Sequence, residues 1–238
     1  MIRKSHPALG RALLAVALVM AAAGAGGCFS SPDEAAQAAF EKESKTLSPQ
    51  CVSLADRIPY RSPDSKDACG LSCLDMICAF EHREIPEALI GPLRQKAAVE
   101  NGVTVDDIVM VLQSLGFRTL RKQGAIRWPD EYPPGKAFED IGNPLSQIHF
   151  GRPVIVRVMT RPQVFHFMLL VGFDAASRKV ILQNPGTGPV ILPLQSFDTL
   201  WAGGDRVFIA YKHSDVAPVT PAAQPSPSPP PLPPTLVN

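Results

Sequence analysis

Three residues that lie far apart in the sequence place the strongest constraint on how this chain can fold. Cys69 opens a predicted helix within the segment Asp-Ala-Cys-Gly-Leu-Ser-Cys-Leu. His166 lies inside an apolar strand much later in the chain, and Asn184 ends the strand that follows. A thiol, an imidazole and a carboxamide are the parts of a nucleophile with an oriented base. Because such groups act only in contact, the fold must bring a helix start and two neighbouring strands to one point.

Hydrophobic periodicity divides the chain into a helical first part and a β-rich second part. Apolar residues recur at helical spacing early in the chain, and apolar runs separated by polar turns follow later. Helices followed by strands, without regular βαβ alternation, predict an α+β fold in which the helical half packs on an antiparallel sheet. The predicted helices cover about 32–45, 69–81, 86–99 and 104–116, the predicted loop covers 118–143, and the predicted strands cover about 153–159, 164–173, 179–183, 190–192 and 206–211.

The N-terminus has the pattern of an export signal. Basic residues precede an apolar stretch, residues 12–23, that is too short to span a bilayer comfortably. Small residues then lead to Cys28, which resembles the lipobox of bacterial lipoproteins, although Ala25 stands where Leu is usual. This resemblance implies cleavage before Cys28 and lipidation at that residue. An ordinary secretory signal with Cys28 near the cleavage site is the alternative.

Both interpretations place the rest of the chain outside the cytoplasm. Phe29 and Ser30 follow Cys28, without the Asp that retains lipoproteins of enteric type at the inner membrane. We therefore expect a lipid-anchored protein of the bacterial cell envelope, attached to the outer membrane and facing the periplasm.

Composition supports a division of the chain into four segments. The predicted segments are a signal peptide (1–27), an anchor and linker helix (28–54), one folded domain (55–212) and a disordered Pro-rich tail (213–238). The formal net charge is +1, without a long block of like charge, so the sequence does not indicate a nucleic-acid partner.

Four further cysteines follow Cys28. In an oxidising compartment Cys51 could pair with Cys73 or with Cys78, and the sequence does not decide between them. Zinc is disfavoured because Cys69, Cys73 and Cys78 follow one another along a single helix, without the paired short spacings of structural zinc sites. We expect no cofactor.

The β-hairpin gives independent support for a contact between His166 and Asn184. A polar turn centred near Ala175 and Ala176 would place position 166 opposite position 185. Facing residues of adjacent strands lie about 5 Å apart, so the two side chains can meet if no bulge puts them on opposite faces. The carboxamide would then fix the imidazole's tautomer and orientation.

Structural explanations compete with these assignments. His166 could be a core histidine bonded to a backbone carbonyl, and the cysteines could simply pack. Cys69 is favoured as the nucleophile because the N–H groups and dipole of a helix start stabilise a thiolate, and because Gly70 leaves space beside it. Cys73, one turn later, is the less favoured candidate.

The order of these motifs resembles the C39 peptidases and C39-like proteins of the papain-like superfamily. The similar segments are Asp67 to Met76 with its Cys-Gly pair, Leu112 to Phe117 with Leu-Gly, Gly151 to Val156 with Gly-x-Pro-Val, His166 to Gly172, Asn184 to Gly188, and Phe197 to Trp201. The resemblance covers about residues 55–212 and implies a papain-like α+β fold. It further implies that Cys69 is the nucleophile, His166 the general base and acid, and Asn184 the orienting residue.

Three departures from the family pattern stand out. Asn184 occupies a position where Asp is common, and Ala68 is inserted between the Asp and the Cys. The family places a Gln of the oxyanion hole about six residues before the Cys, where this chain has Pro63. The backbone N–H of Cys69 remains as one donor, and Ser62 is a second candidate.

Two functions from different classes follow. The first is a membrane-anchored cysteine peptidase that cleaves a peptide or protein substrate through an acyl-enzyme. Because the sequence contains neither transporter helices nor a P-loop, such an enzyme would act alone or beside a separate peptide export system. The second is a catalytically impaired module that holds a peptide in the same cleft, which the missing Gln favours.

Overall fold

A computed structural model describes residues 32–63, 68–132 and 140–213. The predicted signal peptide with Cys28, the start of the Cys69 motif at Asp67 and almost all of the Pro-rich tail lie outside these residues.

Six α-helices and seven strands form the described chain. The helices are α1 (Pro32–Ser44), α2 (Cys69–Phe80), α3 (Glu87–Glu100), α4 (Val105–Ser114), α5 (Pro144–His149) and α6 (Leu194–Gly203), with short 3₁₀ helices at Ala55–Arg57 and Pro129–Glu131. The strands are β1 (Val52–Ser53), β2 (Phe117–Gln123), β3 (Val154–Arg161), β4 (Val164–Asp174), β5 (Lys179–Asn184), β6 (Gly188–Pro193) and β7 (Val207–His213).

Local signals set several of the helix ends. Thr104 caps α4 by accepting a hydrogen bond from the backbone N–H of Asp107, whose carboxylate accepts from the Thr104 N–H in return. This reciprocal pair satisfies two donors at the helix start. Helix α3 ends at Asn101, which adopts the left-handed conformation with φ of 58°.

The strands form one antiparallel sheet in the order β2-β7-β3-β4-β5-β6, and β1 pairs with β4 at the side of this path. Helix α2 packs against β4, and α4 packs against β2. The predicted α+β architecture, with a Cys-bearing helix on a C-terminal antiparallel sheet, is therefore confirmed.

The predicted loop 118–143 is wrong at its beginning, because residues 117–123 form strand β2 along the whole of β7. The sequence Phe-Arg-Thr-Leu-Arg-Lys-Gln has few apolar residues, and its burial decreases toward its end. Edge strands carry such Lys and Arg residues because these discourage pairing with other chains, and this hides the strand from a hydrophobicity pattern.

Helix α2 lies in the core. Cys73, Leu74, Met76 and Ile77 are fully buried, so nearly the whole circumference of this helix is covered. Gly70 does not provide the open space expected from the sequence. A Cβ at this position would lie 2.5 Å from Cγ2 of Val103, so the glycine allows close packing instead.

The cysteines form neither of the disulfides considered above, because Cys51, Cys73 and Cys78 are free thiols. Their surroundings differ: Cys51 lies near Asp174, whereas Cys78 lies near Asp75, Glu81 and Arg83. Within the described residues, no group of three metal-ligating side chains could hold an ion. None of the helices described is long and apolar enough to cross a membrane.

Candidate active site

Cys69 is the first residue of α2, where the backbone N–H groups lack intrahelical acceptors. Ala68 precedes it and provides no side-chain cap, so these donors stay free for other partners. The N–H of Gly70 bonds the Cys69 sulfur. Since the helix dipole also favours negative charge at this end, the local backbone alone favours a thiolate.

His166 lies on β4 just beyond the part of the strand that pairs with β5. The pairing between these strands stops at Leu169 and Gln183, so the start of β4 is not bonded to β5. The start of α2 meets β4 there, and the Cys69 sulfur bonds both the His166 ring and the N–H of Phe167. The end of one strand ladder thus leaves room for the helix to place sulfur against imidazole.

Asn184 holds the other side of the imidazole. Its Oδ1 lies 2.7 Å from Nε2 of His166, and its Nδ2 donates to Oγ1 of Thr187 at 2.5 Å. An amide oxygen can only accept, so Nε2 carries a proton and Nδ1 is the nitrogen left for Cys69. The carboxamide therefore fixes both the ring's tautomer and its direction.

A tyrosine fixes the turn that carries Thr187. The Tyr60 hydroxyl accepts hydrogen bonds from the backbone N–H groups of Gly186 and Gly188, at 3.1 and 3.2 Å. The structure thus adds Thr187, Tyr60 and the Phe167 N–H to the residues expected from the sequence. The Thr three residues after Asn184 was a readable turn signal, whereas Tyr60 and the Phe167 N–H become evident only in the folded chain.

The two reactive groups shift each other's pKa in opposite directions. Burial alone would raise the pKa of Cys69, but the His166 ring and the N–H groups of Phe167 and Gly70 together lower it. Burial alone would lower the pKa of His166, but the Cys69 sulfur and the Asn184 carboxamide raise it. Both shifts favour a thiolate beside an imidazolium, which is the reactive form of a thiol nucleophile.

Cys73 has the opposite character, since burial and the neighbouring Cys69 raise its pKa well above the usual value. It is fully buried, whereas Cys69 remains 9% exposed and His166 is half-buried. The structure therefore places Cys69, and not Cys73, against an accessible imidazole.

The position expected for the missing Gln gives no direct replacement. Pro63 lies beside the turn at Gly186, and Ser62 is exposed.

The fold and the site define an α+β protein in which a helix-start thiol contacts an imidazole oriented by a carboxamide. The family model of the Peptidase C39 family matches residues 57–213, which is more than half of the chain. The chain therefore belongs to the C39 peptidase family, and its resemblance to that family is confirmed. A comparison with curated proteins finds no significant match.

Several solved structures are similar in fold. A double glycine motif protease from an AMS/PCAT transporter, crystallised with the leader peptide, is 18% identical with a TM-score of 0.45, covering 66% of this chain and 92% of the other. The peptidase domain of Streptococcus ComA, a bi-functional ABC transporter involved in quorum sensing, is 18% identical with a TM-score of 0.46, covering 66% of this chain and 100% of the other. The peptidase domain of Streptococcus mutans ComA is 16% identical with a TM-score of 0.40, covering 65% and 99%.

Proposed function

We propose that this protein is a membrane-anchored, extracytoplasmic cysteine peptidase that cleaves a peptide bond through an acyl-enzyme. The observation that carries this proposal is the continuous contact from the Cys69 sulfur through the His166 ring to the Asn184 carboxamide. Membership of a peptidase family supports a peptide or protein as the substrate.

The proposed reaction uses the ion pair directly. The Cys69 thiolate attacks the scissile carbonyl carbon, and the carbonyl π electrons move to oxygen. His166 then donates its proton to the leaving amine as the C–N bond breaks, which leaves a thioester on the sulfur. The now neutral imidazole takes a proton from water, whose oxygen attacks the thioester and releases the carboxylic acid and the thiolate. Asn184 keeps the ring in place through both proton transfers.

The oxyanion of the tetrahedral intermediate needs hydrogen-bond donors. The backbone N–H of Cys69, at the free start of α2, is one donor that we propose. Loss of one such donor costs about 10²–10³ in rate in other hydrolases, so Pro63 in place of Gln predicts slow turnover.

Apolar surface flanks the proposed site. Val164 lies two residues before His166, on the same face of β4, and is 49% exposed. We propose that Val164 contacts an apolar side chain of the substrate near the scissile bond.

The absence of a Gln at position 63 also favours a second function, a peptide-binding module that uses the same cleft without cleavage. One experiment separates the two. The full-length protein, with Cys69→Ala as its matched control, is incubated with a peptide library and the new N-termini are sequenced by mass spectrometry. New termini that require Cys69 support the peptidase. Peptides retained equally by both proteins without new termini identify the binding module and overturn the peptidase proposal.

The proposed location rests on the N-terminal sequence alone. We propose that Cys28 is lipidated and anchors the protein to the outer membrane, facing the periplasm. Labelling with a palmitate analogue, followed by membrane fractionation, tests this proposal against Cys28→Ser. Equal labelling of both proteins, or wild-type protein in the soluble fraction, would contradict it.

A further inference from the structure

A groove with a volume of about 530 Å³ lies beside the strands that carry Gln183 and Gly188. Its walls are α1, the 3₁₀ helix at Ala55–Arg57, Tyr60 and the paired strands β5 and β6. Gln183 faces this groove, and successive strand residues point to opposite faces, so the adjacent Asn184 faces away from it. Helix α1 precedes residues 57–213, so this wall belongs to the chain outside the part that defines its family.

The floor of the groove is apolar with one polar group. Ala55 and Ile58 are buried, and Phe40 and Tyr60 are half-buried around them. Gln183 is only 4% exposed, and its Oε1 accepts no hydrogen bond from the residues that the structure describes. Because the last torsion of a Gln side chain is broad, the amide can turn its oxygen toward the groove. A buried amide oxygen without a donor calls for a donor from a ligand.

The rim of the groove is acidic. Glu41 and Asp56 are exposed, and neither forms an ion pair within the described chain. Among the described residues, the Glu41 carboxylate accepts a hydrogen bond only from the side-chain amide of Gln37, at 3.1 Å. None of the lysines and arginines in the described ranges lines the groove. The charged side chains that line the groove are therefore both acidic.

We infer that this groove binds an alkylammonium group. The ammonium would donate to the amide oxygen of Gln183, while its methylene stem packs against Phe40 and Ile58. Glu41 and Asp56 would offset the positive charge from the rim. A lysine side chain of a peptide and a free aliphatic diamine share this chemistry.

Binding of an amine is measured directly, so the test of this groove does not depend on peptide cleavage. Full-length protein is titrated by isothermal calorimetry with 1,5-diaminopentane and with Nα-acetyl-lysine methylamide. Pentanoate, which has a similar stem and the opposite charge, is the ligand control. Saturable binding of either amine with no binding of pentanoate is expected. The amine that binds more tightly shows whether the groove prefers a lysine side chain of a peptide or a free diamine.

The variants test the groove itself. Gln183→Met keeps the stem and removes the amide, and the double variant Glu41→Gln with Asp56→Asn removes the rim charge. Each is expected to weaken amine binding about fivefold, the effect of losing one hydrogen bond from Gln183 or two exposed charge interactions at the rim. Glu84→Gln, an exposed carboxylate outside the groove, serves as the matched control and should bind like wild type.

The surface double variant cannot disturb the core, so its result stands even if Gln183→Met folds poorly. Unchanged affinity in the double variant, equal binding of pentanoate, or no saturable binding of either amine overturns the inference. No saturable binding of either amine is the result expected if an ordered water, and not a ligand, donates to the Gln183 oxygen.

Discussion

Nε2 of His166 lies 2.7 Å from Oδ1 of Asn184. A regular pairing of β4 with β5, continued from the turn without a bulge, would place these two side chains on opposite faces of the sheet. Next to the turn, Asp174 pairs with Lys179, and this register would place Asn184 opposite Leu169. His166, three residues from Leu169, would then point to the other face. A bulge between Leu170 and Gly172 shifts the register by one residue and returns both side chains to one face.

Cys69 should be alkylated faster than Cys51, although Cys51 is the more exposed thiol. Burial and Asp174 raise the pKa of Cys51 to about 11, while the pKa of Cys69 lies below 9.0. At pH 7 the thiolate fractions should differ by more than about a hundredfold. Mapping iodoacetamide adducts over time measures this preference.

The His166→Ala variant is the control for this experiment. Without the imidazole, the pKa of Cys69 should rise, because the His166 contribution that lowers it is lost while burial still raises it. The rate of Cys69 alkylation should therefore fall in the variant, and an unchanged rate would show that His166 does not activate this thiol.

Asn184 should act through the orientation of His166 and not through binding of substrate. Asn184→Ala is expected to lower kcat by about 10- to 100-fold with little change in KM, because the ring loses its fixed tautomer. Thr187→Val, which removes only the partner of the Asn184 amide, should have a smaller effect in the same direction. Steady-state kinetics on a cleaved peptide measures both, and a rise in KM alone would contradict the orienting role.

The pH profile of kcat/KM should be bell-shaped. Activity should rise as pH increases through the lowered pKa of Cys69, so the acidic limb lies below pH 9.0. It should fall as pH increases through the raised pKa of His166, so the alkaline limb lies above pH 6.5. Since Asn184 helps to raise the pKa of His166, Asn184→Ala should move the alkaline limb to lower pH. An alkaline limb unchanged in this variant would exclude the proposed interaction.

Asp174 should stabilise the fold in a pH-dependent way. Burial would raise its pKa, but hydrogen bonds from Ser48 and Ser177 lower it to about 2, from an ordinary value of 3.8. This stabilisation is present above about pH 4 and is lost as pH falls toward 2. Asp174→Asn should therefore lower the free energy of unfolding by about 2 kcal/mol at pH 7 and by nearly nothing at pH 2.

Urea unfolding at both pH values measures this difference. Asp106→Asn, which removes an exposed ion pair with Arg121, is the matched control and should change stability by less than about 1 kcal/mol. Equal changes in the free energy of unfolding for the two variants at pH 7 would show that the buried Asp174 carboxylate stabilises the fold no more than an exposed ion pair does.

The first four helices were predictable from local signals, whereas α5 and α6 were not predicted. The Thr104 and Asp107 pair marks the start of α4, and the apolar spacing after Cys69 marks α2, because caps and periodicity act within a few residues. Strand β2 escaped prediction because its charged residues suit an edge position, and the edge is defined only by the partner β7.

The site was only partly predictable. The sequence supplies the residue types and the positions of Cys69, His166 and Asn184 within their elements. It did not supply the register: the turn spans residues 175–178 rather than centring on Ala175 and Ala176, and the bulge between Leu170 and Gly172 then shifts the pairing by one residue. Tyr60, which is far from the turn in sequence, contributes only because the chain passes beside Gly186 and Gly188.

The sequence by itself determined helices α1 to α4, the strands around the hairpin and the chemical groups that these elements carry, because those depend on neighbours along the chain. Only the tertiary structure decided that a thiol, an imidazole and a carboxamide meet. That outcome depends on where the ladder between β4 and β5 stops and on one extra residue in β4. Both are set by packing between segments that are distant in sequence, and no local pattern encodes such packing.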